Sequence, residues 1–404
     1  MTASPAARLL AALALMTGLS QFHRAALGVV GPELAADLGA GAGVLGAANG
    51  AFFLALALAQ IPVGLALDRW GPRLTVAALT LPAVLGGAAQ ALAPDGPSFL
   101  AARFLLGLGC AAGFMSAVVL CARWFAGEGL TTALARVFAL SNCGILLAGA
   151  PFAAAAERLG WRGSYALAAG LTLLGGVLWW RLVRDDPPGA VPPRRPETLA
   201  EALGGQFAVW RTPGLPPILS MHLVGYACMA TVLAVWAGPY LAEVHGLAPE
   251  PRGAVLLLMG LALPAGLLGV GPLERRLGRR RSRSLVAALA EGAALVLAAR
   301  AAWPRAPLPV AAGLLVLLCL LSCFPVLVVT QGRALFPDHL VGRGATTVNL
   351  AQTVGGAALP ALTGAVVALA PAELAWSVAF AALSAALALG LAGYLTGRGQ
   401  PPPR

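Results

Sequence analysis

Three polar side chains lie at helical spacing in the first apolar stretch of the chain. Thr17, Gln21 and Arg24 stand at i, i+4 and i+7, which places them on one face of a helix. At 1.5 Å per residue, Arg24 lies about 10 Å from the far end of that stretch. Two polar neighbours share its face, so the pattern predicts a polar stripe that lines a cavity. The alternative is an arginine that extends along its helix to reach water.

Arg103 is a second arginine deep in an apolar stretch. A charge at such a position is costly, and by default it indicates function. The sequence leaves three roles open for it: pairing with a substrate, contact with the first helix, or hydrogen bonding to backbone carbonyls. Gly107 and Cys110 continue its helical face and predict a groove beside it.

The second half of the chain contributes uncharged polar groups. His222 and Tyr226 share a helical face, and Trp236 follows further along the same stretch. His222 is either a proton carrier near neutral pH or a satisfied interior residue. Asn349 and Gln352 form another polar stripe, which predicts either substrate contacts or amides that hold helices together. We take all five as candidate substrate-binding residues.

Proton coupling needs a group that changes its charge inside the protein. Glu291 is the one carboxylate of the sequence that lies well inside an apolar stretch. It is either a proton site or a partner of the arginine cluster around Arg283, near the end of its helix. His23 and His222 are the alternative proton carriers, because a histidine titrates near neutral pH.

The composition of the chain indicates what kind of secondary structure must position these residues. Of the 404 residues, 59% are hydrophobic and 11% are charged, whereas a soluble domain carries about 25% charged residues. Such a chain needs lipid as its solvent, where only helices or closed barrels satisfy the backbone. Long apolar runs without alternation exclude a barrel. The sequence therefore predicts an all-α membrane protein.

The net charge of +11 could suggest binding to nucleic acid. All 27 basic residues are arginines, however, and most lie in short segments between apolar runs, where they orient helices in a bilayer. We therefore expect no nucleic-acid partner. The sequence has no phosphate loop, no metal-ligand spacing and no nucleophile beside a base, so we expect neither an enzyme nor a metal or cofactor.

A transmembrane helix needs about 20 apolar residues, and cutting the chain at polar or Pro/Gly punctuation predicts twelve of them. Numbered span one to span twelve, they are 8–31, 45–67, 74–94, 98–121, 133–155, 164–183, 214–239, 253–273, 285–303, 309–331, 345–369 and 375–396. The Pro- and Arg-rich segment 184–213 reads as a cytoplasmic linker. It divides the chain into a six-helix bundle over 1–183 and a second bundle over 214–404.

Arginine counts predict how these spans are oriented. With both termini in the cytoplasm, 20 arginines lie on the cytoplasmic side and 5 on the other, and the two deep arginines complete the 27. The halves also share a repeat, because Gly71 and Arg73 after span two recur 207 positions later as Gly278 and Arg280 after span eight. This repeat predicts a duplicated fold with a binding site between its halves.

The segment from Gly64 to Arg73, GLALDRWGPR, resembles the loop-two signature of the major facilitator superfamily. Further segments that fit are ARFLLGLG in span four, RWF after it, GWRGSY opening span six, VWAGPYL in span seven and GPLERRLGRRR after span eight. The resemblance implies the fold of that family, two pseudo-symmetric bundles of six helices, and transport by alternating access. It also implies that Asp68, Arg69 and Arg73 form a latch that steadies one end state.

The run HRAALGVVGPEL in span one resembles the anion:cation symporter and organophosphate:phosphate antiporter branches, where an arginine eight residues before a proline grips the anion. Arg24 and Pro32 keep that spacing, which implies an organic or phosphorylated anion as substrate. The chain also departs from these branches. His23 and Cys110 stand where the symporters commonly carry acids, and Ala230 stands where the antiporters carry a second arginine.

The expectation is a monomeric secondary active transporter of the inner membrane that moves a small organic anion, with its coupling proton or other ion left open. A drug/proton efflux antiporter is the alternative, although its span-five signature fits the sequence around Pro151 poorly. A transporter-like receptor without turnover is the third possibility. The candidate coupling or gating residues are His23, Asp68, Arg69, Arg73, Arg103 and Glu291.

Overall fold

The computed structural model describes residues 4–125, 128–187, 209–278, 281–336 and 341–397. Within those ranges the chain consists of helices and the turns between them, without a strand. The predicted all-α class is confirmed. Residues 188–208 of the predicted linker lie outside the described residues, so the domain boundaries stay predictions.

The N-terminal half begins with a helix that is broken near the depth of Arg24. Its helices are Pro5–Ala25, Leu27–Asp37, Ala42–Leu92, Gly96–Cys110, Ala112–Trp124, Glu128–Ser141, Cys143–Ala148 and Ala150–Leu182. Gly71 has a φ of 79° and interrupts the third of these, which separates span two from span three. Glycine adopts this left-handed region at no steric cost, which explains the tight reversal predicted at this loop.

The C-terminal half repeats this plan with one irregular helix. Its helices are Leu215–Thr231, the π-helical turn Val232–Trp236, Ala237–His245, Pro249–Leu277, Ser282–Ala302, Leu308–Leu321, Pro325–Arg333, Val341–Leu369 and Ala375–Thr396. Gly278 ends span eight with a φ of 82°, close to that of its repeat counterpart Gly71. The π-helical turn carries Trp236 at its end.

Ten segments of the described chain are long and apolar enough to cross a membrane. One of them, Arg136–Leu182, holds both span five and span six, which part at the non-helical Gly160. Span one is formed by Pro5–Ala25 and Leu27–Asp37, which join at Ala26 with helical φ and ψ of −58° and −31°. Because Arg136–Leu182 counts as two spans, the ten segments account for eleven of the predicted spans. The two-part first helix is the twelfth.

The two halves meet along three seams of small residues. Span one packs on span seven where Gly28 faces the carbonyl of Leu233, and a Cβ at Gly28 would lie 2.5 Å from that oxygen. Span two packs on span eleven in the same way, since a Cβ at Gly50 would lie 2.7 Å from the Ala357 carbonyl oxygen. Span five packs on span eight, where Gly253 lies against Ala150 and Ala153. These helices approach to backbone contact, as small residues allow in membrane proteins.

All three seams lie toward one end of the bundle, the end that carries the turns at residues 38–41, 246–248 and 370–374. We call it the sealed end. An ion pair crosses it, because Arg252 of span eight donates to Glu33 at 2.6 Å and to the Val29 carbonyl at 2.6 Å. Among the described glycines, those that meet the opposite half all lie between this end and the middle of the bundle.

Candidate functional site

Arg24 presents its guanidinium beside the space between the two halves. It lies two residues before the break at Ala26 and is partly exposed. Its guanidinium carbon lies 5.4 Å from the ring centroid of Phe53 in span two. Its Nε atom is buried and has no hydrogen-bond partner among the described residues. A cation at membrane depth with unused donors is equipped to bind an anion.

The other two members of the predicted stripe differ in their surroundings. Thr17 is buried and donates to the carbonyl oxygen of Gly113 in span four, at 3.5 Å. Gln21 is partly exposed, one turn before Arg24. The structure therefore ties Thr17 to a neighbouring helix and leaves Gln21 on the accessible part of the face.

Arg103 is fully buried and hydrogen-bonds to two neighbouring spans. It donates to the carbonyl oxygen of His23 in span one at 2.8 Å and to the side-chain oxygen of Asn49 in span two at 3.0 Å. Its Nε lies 3.4 Å from the carbonyl oxygen of Ala48, and the ring of Phe52 covers its guanidinium at 4.8 Å. Of the three roles left open by the sequence, this geometry matches contact with the first helix and bonding to backbone carbonyls.

His23 points into the N-terminal bundle rather than along the face of Arg24. Its Nε2 lies 2.9 Å from the hydroxyl of Thr172 in span six. That hydroxyl already donates to the Ala168 carbonyl at 2.8 Å, so it accepts from the imidazole. Nε2 therefore carries the hydrogen, and Nδ1 is left buried without a partner among the described residues.

The uncharged candidates of the C-terminal half converge from spans seven and eleven. The buried ring of His222 lies beside the partly exposed amide of Gln352, although neither ring nitrogen makes a well-formed hydrogen bond. Tyr226 is partly buried and packs against both hydrophobic clusters of the protein, one that spans the two halves and one that lies within the N-terminal half. Asn349 is partly exposed one turn before Gln352. Of these four side chains, the structure brings His222 and Gln352 together.

Trp236 is fully buried, in contrast to these four. Its indole nitrogen donates to the hydroxyl of Thr363 in span eleven at 3.0 Å, and its ring packs edge-on against Trp376 in span twelve. The structure therefore places Trp236 in the packing between spans seven, eleven and twelve.

The loop-two signature packs against the end of span six. The Arg73 amide donates to Asp185 at 2.7 Å, and the Arg73 guanidinium donates to the Trp180 carbonyl at 2.8 Å while covering the Trp180 ring at 4.2 Å. Partial burial raises the pKa of the Asp185 carboxyl, while the Arg73 amide and the nearby arginines oppose that shift. The Arg69 side chain is exposed, and the Asp68 side chain lies outside the described residues.

Glu291 is exposed on span nine. Arg283, its expected partner, instead donates to the Tyr394 carbonyl at 2.6 Å. In the described part of the chain, no group of histidine, cysteine or acidic side chains is arranged to hold a metal ion.

Three residues around the deep arginines were not found from the sequence: Asn49, Phe53 and Thr172. Asn49 could have been noticed as an isolated amide in the apolar run of span two. Phe53 and Thr172 give no such signal, since aromatic and hydroxyl side chains are common in membrane helices.

The fold and this site define a class, the polytopic membrane transporters with a ligand space between two helical bundles. The sequence profile of the Major Facilitator Superfamily matches residues 13–360, and the chain belongs to that family. The resemblance seen in the loop-two signature is confirmed. Membership of this transporter family also agrees with the expectation that the protein is not an enzyme.

Three curated relatives are similar to parts of the chain. A hexuronate transporter of Bacillus subtilis is 26% identical over 258 residues, which are 59% of this chain and 57% of the relative. A nitrate/nitrite transporter of Nostoc punctiforme is 32% identical over 143 residues, 33% of this chain and 28% of the relative. A quinolone resistance transporter of Acinetobacter baumannii is 32% identical over 118 residues, 29% of this chain and 27% of the relative. The matched segments thus span less than two thirds of each relative.

Solved structures support the fold over nearly the whole chain. A bacterial homologue of the human lysosomal transporter Spinster, in an inward-facing and unoccupied conformation, superposes with a TM-score of 0.74 at 16% identity. The alignment covers 98% of this chain and 96% of that one. A D-xylose-proton symporter superposes with a TM-score of 0.69 at 14% identity, over 94% of this chain and 96% of that one. At such identities the likeness concerns the fold alone.

Proposed function

We propose that the protein is a secondary active transporter that moves a small organic anion across the inner membrane by alternating access. The observation that carries the proposal is Arg24, a partly exposed guanidinium at membrane depth whose buried Nε has no partner among the described side chains. The charge would be costly at this depth unless a ligand or water satisfied it.

The relatives favour an anion with a planar, delocalised charge. A hexuronate carries a carboxylate on a sugar, and nitrate is itself a planar anion. Both groups present two oxygens to the fork of an arginine. A carboxylate on a polar body also suits the opposite wall of the site, because His222, Tyr226, Asn349 and Gln352 offer neutral donors and acceptors. We therefore place the charged end of the substrate at Arg24 and its uncharged part toward spans seven and eleven.

Proton coupling, in this proposal, does not use a carboxylate between the halves. His23 and Cys110 occupy the positions where related symporters carry acids, and Glu291 is exposed on span nine. Strong uptake driven by a pH gradient in a protein that carries both His23→Ala and His222→Ala would contradict this view and would direct attention to Glu291.

The proposed orientation has both termini in the cytoplasm. The excess of arginines at one set of loops supports it, and it would turn the sealed end away from the cytoplasm. A reporter that is active only outside the cytoplasm, fused after Arg404, should stay inactive. Activity of that fusion would overturn the orientation.

Thermal shift of the purified monomer against glucuronate, gluconate, nitrate and phosphate tests the substrate class. A ligand at 100 times its dissociation constant stabilises a protein by about 2.7 kcal/mol, so a true substrate should raise the melting temperature. Arg24→Ala should lose about 2–5 kcal/mol of binding free energy, much of it from leaving the anion unpaired. Arg24→Lys should also bind weakly, because a point charge cannot replace the fork.

Arg8→Ala is the matched control, because Arg8 is exposed at the start of the same helix. It should keep the wild-type shift. Normal folding and wild-type anion affinity in Arg24→Ala would refute the assignment, and an arginine that reaches toward water would then be the better account.

A drug efflux antiporter is the second candidate, and the similarity to a quinolone resistance transporter favours it. The same thermal-shift assay separates the two functions. Stabilisation by a fluoroquinolone that persists in Arg24→Ala, together with no response to any anion, would replace the organic-anion proposal with drug efflux.

A further inference from the structure

Phe53 is the side chain against which Arg24 rests. The guanidinium carbon lies 5.4 Å from the centre of the Phe53 ring, within the range of a cation–π contact. The described structure gives the Arg24 guanidinium no hydrogen bond or ion pair. The direction in which Arg24 points therefore depends on where this ring is held.

The Phe53 ring is held from the other half of the molecule. Its side chain is 2% exposed, and its edge lies against Gly356 of span eleven. A Cβ at Gly356 would lie 2.7 Å from one ring carbon of Phe53 and 2.9 Å from another. The absence of a side chain at Gly356 therefore leaves just enough room for the ring in its present position.

This contact continues the seam between spans two and eleven. Gly50, one turn before Phe53, lies against Ala357, which neighbours Gly356. In alternating access the two bundles rock about the site, so a seam that closes one end must part when that end opens. The ring that supports Arg24 is thus clamped while the sealed end is closed and loses its support from span eleven when that end opens.

We propose that Phe53 is a positioning residue for Arg24, which it holds toward the space between the halves only while spans two and eleven are in contact. The inference rests on the proposed anion-binding role of Arg24 and adds a link between substrate affinity and conformation. The protein would bind the anion with higher affinity while the sealed end is closed, and with lower affinity once Phe53 separates from Gly356.

The native Cys110 provides a reporter that needs no identified substrate. It is partly exposed in span four and lies close enough to Arg24 for their charges to interact. With the other five cysteines replaced by serine or alanine, Cys110 can be labelled by an anionic and by a neutral methanethiosulfonate. The ratio of the two labelling rates measures the positive potential beside the thiol and is insensitive to general accessibility.

Arg24→Gln should lower this ratio about tenfold, since it removes a unit charge near the thiol in a medium of modest dielectric constant. Phe53→Leu should lower it about threefold, because Arg24 is then free to turn away. Phe53→Tyr keeps the ring and should keep the ratio. Phe380→Leu is the matched control, because Phe380 packs against Arg300 in the C-terminal half instead.

The clamp from span eleven has its own test. Gly356→Ala should displace the ring and lower the ratio as Phe53→Leu does, while Gly313→Ala in span ten should leave it unchanged, because a Cβ there meets nothing within 4 Å. A ratio that falls in Arg24→Gln but not in Phe53→Leu or Gly356→Ala would overturn the proposal. A ratio unaffected by Arg24→Gln would overturn it as well, because the Arg24 guanidinium would then not be held near Cys110.

Failure of the proposed function is distinguishable from these outcomes. If the ratio responds to Phe53→Leu and Gly356→Ala as expected while Arg24→Ala keeps full anion binding, Phe53 positions Arg24 but Arg24 is not the substrate ligand.

Discussion

The two halves of the molecule share a plan of six helices but place their buried arginines differently. Arg103 lies well inside span four and is bonded to spans one and two. The buried arginines of the C-terminal half, Arg252 and Arg300, lie within four residues of a helix end. Among the described side chains, the deep arginines thus belong to the N-terminal bundle, and the candidate residues of the C-terminal bundle carry neutral polar groups. Under the proposed function, the N-terminal half binds the charged group of the substrate and the C-terminal half contacts its uncharged part.

The largest expected effect separates a structural arginine from a substrate-binding one. Arg103→Ala should lower the free energy of unfolding by about 2–4 kcal/mol, because it leaves a cavity and an unpaired Asn49 oxygen. Melting temperature and yield of purified protein report the loss. Arg103→Met, which fills most of the cavity, should lose less, and Arg24→Ala should melt like the wild type. If Arg103→Ala had normal stability but failed to bind the anion, Arg103 would be a substrate-binding residue rather than a structural one.

The next effect compares the two repeated turns. Gly71→Ala should destabilise the protein by about 2 kcal/mol, because a positive φ is strained for alanine and the Asp185 carboxylate occupies the space for its Cβ. Gly278→Ala suffers the backbone strain alone, since a Cβ there meets nothing within 4 Å, and should cost about 1 kcal/mol. Thermal unfolding of both variants provides the test. Equal losses would mean that the packing of Asp185 on the first turn adds nothing to stability.

A smaller effect is expected at the uncharged candidate residues of spans seven and eleven. Gln352→Ala should weaken substrate binding about fivefold, the loss of one neutral hydrogen bond worth about 1 kcal/mol. Titration calorimetry with the anion identified by thermal shift measures the change. Asn142→Ala, in span five, serves as a control amide. If Gln352→Ala lost as much binding affinity as Arg24→Ala, the proposal that Arg24 binds the charged group and Gln352 an uncharged part of the substrate would be wrong.

The smallest effect is a pH dependence at Asp185, which accepts a hydrogen bond from the Arg73 amide. The raised pKa of Asp185 means that the folded protein keeps this proton to higher pH than the unfolded chain does. The contribution of Asp185 to stability therefore falls as pH rises from its ordinary pKa through the raised one. Asp185→Asn removes this slope, so its free energy of unfolding should rise relative to the wild type as the pH increases above the ordinary pKa of an aspartate, by less than about 1 kcal/mol for this partly exposed group.

Asp95 provides the opposite sign as a control. The Ser98 amide lowers the pKa of the Asp95 carboxyl, so its contribution is present above the ordinary pKa and is lost as pH falls through the lowered one. The melting temperature of Asp95→Asn should therefore fall relative to the wild type as the pH rises toward the ordinary pKa of an aspartate, and the difference should stay constant above it. Parallel pH profiles for the two variants would contradict both assignments.

The sequence predicted the helices better than the contacts between them. Apolar length located the spans, and the paired Gly71 and Gly278 revealed the repeat, because both signals are local in the chain. The partners of Arg103 and His23 are Asn49 and Thr172, which lie 54 and 149 residues away. Such contacts depend on how far each helix is rotated about its axis, and hydrophobicity says little about rotation when every face is apolar.

The seams at the sealed end carry a consequence for how fast the transporter can move. Apart from the Phe53 ring on Gly356, the close contacts at Gly28, Gly50 and Gly253 are with backbone atoms and alanine methyl groups, so closing them freezes few rotatable bonds and costs little side-chain entropy. The carbonyls that face Gly28 and Gly50 belong to helices and already accept hydrogen bonds within them, so parting the seams exposes few unsatisfied polar groups. We expect exchange between the two end states to be limited by breaking the Glu33–Arg252 pair and by wetting of the newly opened surface, rather than by side-chain repacking.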